Sequence, residues 1–270
     1  GGYIMGNPNL KGQAAQVILN EVTGSNRSKL AGYTEVAGQS ARVIVANPHG
    51  ITCNGCGFIN TPRATLTTGK PVIEGQKLDR FQVDGGDISI EGAGLNASNI
   101  DQFDLITRST KLNADLYAKK LNVITGRNDV KADDLSVTAR DADASAKPEL
   151  AIDSSALGGM YAGAIRLVGT EKGVGVNMSG EMAASTGDIQ IDANGKVTVA
   201  GMGANQAIAI KAQSIELKGK AYAGTEATLQ AAEQIQVQTS LAARDRVQVV
   251  DAAQVVNHGI IEAGVNTDNS

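Results

Sequence analysis

The stretch GDIQIDANGKVTVAGMGANQAIAIKAQSIELKGKAYAGTEATLQAAEQIQVQ, residues 187–238, decides the fold. Apolar residues fall in pairs with one residue between them: Ile189/Ile191, Val197/Val199, Ile208/Ile210, Ile215/Leu217, Ala227/Leu229 and Ile235/Val237, with Val247/Val249 just beyond. Alternation is the period of a half-buried strand and not of a helix. Every second pair returns after 18 to 20 positions, so Ile189 leads to Ile208, Val197 to Ile215, Ile208 to Ala227, Ile215 to Ile235 and Ala227 to Val247. A period of about 20 holding two or three short strands marks a β-solenoid, whose turns bury apolar faces only by stacking on one another. A β-sandwich has turn signals without this longer register. The expected fold is all-β: a right-handed parallel β-helix of about 20 residues per turn, with extra-helical hairpins or loops.

Outward from that stretch, Gly85-Gly86, Gly126, Asn194-Gly195 and Gly219 are candidates for the corners of the coil. Two segments break the rhythm. Thr68 to Phe81 carries Lys70-Pro71 and Glu74-Gly75 and is expected to leave the coil as a hairpin. Residues 141–149, DADASAKPE, read as an exposed loop, and Gly264 to Ser270 as a polar tail.

Composition agrees with a narrow core. Glycine is abundant at 32 residues, while three Phe, five Tyr and no Trp leave the interior to Val, Ile, Leu and Ala. Lys and Arg number 24 against 28 Asp and Glu, a net charge of −4 with no basic block, so nucleic acid and anionic membranes are poor partners. No apolar run reaches the ~18 residues of a membrane span. The chain opens in strand-like sequence without a leader, and reads as a piece of something longer.

Three segments together resemble the two-partner secretion domain of filamentous-haemagglutinin-like and contact-dependent growth inhibition exoproteins. They are Asn7-Pro8-Asn9-Leu10 with Gly12-Gln13-Ala14 and the strand from Val17 to Val22; VIVANPHGITCNGCGFINT at 43–61; and LGGMYAG at 157–163, running on to LVGTEKGVGV at 167–176. The resemblance implies a secretion domain over 1–182, truncated at its N-terminus because the family's module begins earlier with a cap and an export signal. Haemagglutinin-type repeats would occupy 183–263, and a tail 264–270. It implies recognition by the periplasmic domains of an outer-membrane two-partner secretion transporter. Export would run through the periplasm and across the outer membrane to the cell surface, where the domain would template β-helix folding. The parent would be a growth-inhibition toxin, a haemolysin or a haemagglutinin-type adhesin, meeting any target-cell receptor through its other parts.

The residues singled out as partner-recognition or turn-forming motifs are Asn7, Pro8, Asn9 and Leu10, and Asn47, Pro48, His49, Gly50 and Ile51. Asn-Pro favours a turn, so both motifs read first as corners and second as a surface that the transporter reads. They lie 40 residues apart, two turns of a 20-residue coil, which allows both to share one side. His49 stands where the family usually has Asn. In an exported protein Cys53 and Cys56, the only cysteines, suggest a disulfide, with two inert thiols as the alternative. Zinc would need more ligands than nearby His49 supplies, and His258 is far away in sequence. Asp133-Asp134 and Asp141/Asp143 carry the rival reading, a carbohydrate-active β-helix enzyme of the pectate-lyase or glycosidase type. The scarcity of aromatic platforms argues against it, and these acids read as solvated loop residues. No catalytic residue, metal, cofactor or small-molecule substrate is expected.

Overall fold

The computed structural model describes residues 2–6 and 16–268, and every regular element among them is a β-strand. The chain is a parallel β-solenoid with three strands per turn. One face is the column Ile18, Val43, Ala64, Phe103, Leu121, Ile165, Ile189, Ile208, Ala227 and Val247, each paired in register with the next. A second runs Ile152, Val176, Val197, Ile215, Ile235 and Val255. The third stacks Leu116, Met160, Met182, Met202, Ala221, Leu241 and Ile261. Like side chains meet at the ~4.8 Å spacing of parallel strands, so aliphatic residues fill most of the interior. Phe58 and Phe103, the aromatic rings of this core, stack on each other at 5.9 Å.

All five register pairs expected from residues 189–247 are Cα partners here. Earlier turns are less even. Twenty-five residues separate Leu19 from Ile44, 21 separate Val43 from Ala64, and only 18 separate Phe103 from Leu121. The opening strand Gly2–Gly6 also departs from the coil, because it pairs antiparallel with Gln16–Glu21. Gly195 and Gly219, expected at corners, keep ordinary φ values; what demands glycine is close approach, since a Cβ there would meet the carbonyl of Val174 or Ala200 on the preceding turn.

The expected hairpin at 68–81 is present as Lys70–Glu74 and Lys77–Gln82, but it is half of a larger structure. A second excursion, Asn128–Lys131 and Val137–Ala139, adds two more antiparallel strands to it. The resulting four-stranded sheet lies on the outside of the first face. Its Leu78, Phe81, Val130, Ala132 and Leu135 bury the outward side chains Leu19, Ile44, Ala46, Ile106, Ile124 and Val168 in a second core. Residues 141–147 are exposed, as expected of a loop, but two cations pin it: Arg127 pairs with Asp143 at 3.1 Å, and Arg108 donates to Ser145 Oγ at 2.7 Å.

Candidate functional site

The turn at Asn47 comes directly after strand Ala41–Ala46, where the chain leaves the first face. Its backbone closes by Gly50 N–H donating to Asn47 O at 3.1 Å. The Asn47 side chain is fully buried. Its Nδ2 donates to Asn26 O and to Ser28 Oγ, both at 2.8 Å, and its Oδ1 accepts from the His49 backbone at 2.9 Å. One amide thus ties the turn to its neighbour in the coil and folds it on itself, leaving Pro48 and His49 exposed. Gly50 is required at φ +108°, and a Cβ would run into Arg27 Nη1 and the Asp87 carbonyl.

Arg27 fills the space behind that glycine and joins three successive turns. It donates from Nε to Thr52 Oγ1 at 2.6 Å, from Nη2 to Ile51 O at 2.7 Å, and from Nη1 to Asp87 Oδ1 at 2.8 Å. Sequence reasoning missed Arg27, Ser28 and Asp87. Part of the signal was present, since residues 27 and 28 precede Asn47 by about one turn of the coil. Asp87 was hidden because the 70–82 hairpin intervenes between Ile51 and its neighbour one turn on.

Cys53 and Cys56 are bonded to each other, with their Cα atoms 5.7 Å apart. The bridge spans a bulge where strand Ile51–Ile59 rounds a corner at Gly55, φ +69°. Both cysteines lie in the coil core, whereas His49 faces outward, so the three do not converge as metal ligands. Asn7, Pro8, Asn9 and Leu10 lie outside the described residues. Their flanks Gly6 and Gln16 meet beside Ala41, at the other end of its strand from Asn47.

A second polar cluster, also missed, sits under the extra-helical sheet. Asp104 is fully buried and accepts from Arg63 Nε at 2.6 Å, Gln102 at 2.8 Å, Thr65 at 3.0 Å and Asn122 at 3.1 Å. Arg42 lies 3.8 Å away and reaches Ala132 O at 2.6 Å, while Arg63 reaches Asp133 O at 2.8 Å. The cluster thereby fastens the sheet to the coil. Burial first, and then the Arg63 charge, push the Arg42 guanidinium down to about 10, against the pull of Asp104.

The carboxylates of the enzyme reading are arranged for structure. Asp133 pairs with Lys77 at 2.8 Å across the extra-helical sheet. The Ser136 backbone and hydroxyl hold Asp134 below the usual carboxylate range, and the Ser145 hydroxyl and backbone do the same for Asp143. A general acid of a glycosidase needs its pKa raised, which is the opposite shift.

A parallel coil with an antiparallel first strand, an extra-helical four-stranded sheet and a pinned Asn-Pro turn places the chain among the β-solenoids. The family model for the TPS secretion domain matches residues 7–199, and the chain belongs to that family. It is similar to the 16S rRNA endonuclease CdiA of Enterobacter cloacae subsp. cloacae, 48% identical over 96% of the chain but 8% of that protein. It is also 51% identical to a tRNA nuclease CdiA of Escherichia coli, over 83% of the chain and 7% of that protein. Among solved structures, the filamentous haemagglutinin secretion domain superposes with a TM-score of 0.59 at 31% identity, covering 96% of this chain and 78% of that one. The chain spans less than a tenth of the length of these curated relatives. Their nuclease names describe proteins far longer than the domain, which in this family is a non-enzymatic secretion module working with a transporter partner.

Proposed function

We propose that this chain is the targeting module of a large exported exoprotein, and that the periplasmic domains of an outer-membrane two-partner transporter recognise it. The exoprotein passes through the periplasm and across the outer membrane to the cell surface, where the coil templates folding of the downstream repeats. Its parent is a contact-dependent growth inhibition protein or a haemagglutinin-type adhesin, with receptor binding and any toxic activity in other parts. The module proper covers 1–182 and haemagglutinin-type repeats cover 183–263.

The observation that carries this reading is the Asn47 turn. A fully buried amide spends all its hydrogen bonds on holding Pro48 and His49 outward in one conformation, which suits a surface to be read. Asn7–Leu10 is assigned to the same recognition on sequence alone. The test is a binding titration of the 270-residue chain with the purified periplasmic domains of its transporter. Specific binding weakened about tenfold by Asn47→Ala supports the reading; no binding by a folded chain overturns it.

A further inference from the structure

We propose that the free edge of the extra-helical sheet, strand Val137–Ala139, is where the transporter adds a strand of its own; this rests on the transporter reading above. In the antiparallel pairing with Asn128–Lys131, bonds toward the sheet are made by alternate residues, as the flanking contacts Lys131 N–H to Ser136 O and Arg140 N–H to Arg127 O mark. The backbone groups of Val137 and Ala139 therefore point away from the sheet, and they have no partner among the described residues. Both line an open groove of about 800 Å³ between this edge and the first face of the coil.

The two edges of the sheet are unlike. The opposite edge, Lys70–Glu74, carries Lys70, Pro71 and Glu74, residue types that discourage strand addition. The Val137–Ala139 edge has no such guard. The coil beneath also changes character here. Under the sheet its outward column is apolar, Ile106, Ile124 and Val168; the next two members are Asp192 and Lys211. A strand continuing the sheet would lie on Arg166, Lys172 and Lys211 against the single carboxylate of Asp192, a net positive floor in a chain of net charge −4. The occupant that fits is an extended strand with acidic side chains at alternate positions facing the coil. With only Val137 and Ala139 offering backbone bonds, the contact is short, which suits a partner that must let go.

The experiment is a titration of the 270-residue chain with the periplasmic domains of its transporter, comparing wild type, Ala139→Pro and Arg166→Glu/Lys211→Glu. Proline at 139 removes an edge donor without breaking a bond inside the sheet. Both variants are expected to weaken binding about tenfold, and the charge reversal to flatten its dependence on salt. Thermal melting shows whether Ala139→Pro keeps its fold; if it does not, the charge reversal decides alone. Wild-type binding left unchanged by the folded variants overturns the edge assignment while the transporter reading stands. No binding by wild type overturns both.

Discussion

Replacing Asp104 with Ala is the sharpest test of how the extra-helical sheet is held. The carboxylate is fully buried and faces Arg63 at 2.6 Å and Arg42 at 3.8 Å, with Thr65, Gln102 and Asn122 completing its shell. Removing it leaves two guanidinium groups close together and largely out of water. Breaking a buried pair in this way costs about 3–5 kcal/mol, most of it from the uncompensated charges that remain. For a chain of this size that lowers the melting temperature by ~10 °C. The assay is thermal and urea unfolding monitored by far-ultraviolet circular dichroism, since the chain has no Trp. Limited proteolysis reports separately on 128–139, because Arg42 and Arg63 also hold the carbonyls of Ala132 and Asp133. Adding Arg42→Met to Asp104→Ala should restore part of the loss, as an apolar side chain replaces a stranded charge. A loss below about 1 kcal/mol for Asp104→Ala, with unchanged proteolysis, would refute the reasoning.

Three further outcomes are expected. Gly50→Ala forces a Cβ against Arg27 and the Asp87 carbonyl at φ +108°; stability should fall by about 1–3 kcal/mol, with faster hydrogen exchange at Ser28 and Ile51 as the local readout. Cys53→Ala/Cys56→Ala should cost only about 2 kcal/mol in urea unfolding, because the bridged residues are three apart in sequence and the closed loop is small. Asp143 has a depressed pKa, so its contribution is present above the ordinary carboxylate value of ~3.9 and is lost as pH falls through the lower folded value. Acid should therefore loosen the turn in which Asp143 accepts from the Ser145 backbone and hydroxyl, read as a change in the Ser145 amide resonance as pH falls below the ordinary carboxylate value, and a resonance unmoved by acid would exclude that bond.

The C-terminal turns were legible in the sequence because nothing interrupts them. Between Ile189 and Val247 each inward residue meets its partner about 20 places on, and the registers could be counted directly. Counting failed where the chain leaves the coil. The separation of Ala64 from Phe103 includes the first excursion, and that of Leu121 from Ile165 includes the second. The 70–82 hairpin announced itself through Lys70-Pro71, but Asn128–Lys131 is short and largely polar and gave no sign of joining the same sheet. At the Asn47 turn the motif was visible and its supports were not. Arg27 and Asp104 look like ordinary surface charges in one dimension, and only stacking of distant turns gives them partners.

The two-part extra-helical sheet imposes a timetable. Leu19 and Ile44 need Leu78 and Phe81 from the first excursion and Val130 and Leu135 from the second. In a chain emerging from its N-terminus, 111 residues separate Leu19 from Val130. Until that length has appeared, only Leu78 and Phe81 of the first excursion can cover the outer side of the earliest rungs, whatever the coil beneath has achieved. The face closes only when a strand from well downstream arrives, so the spacing of two insertions works as an interval timer for the first part of the molecule to finish.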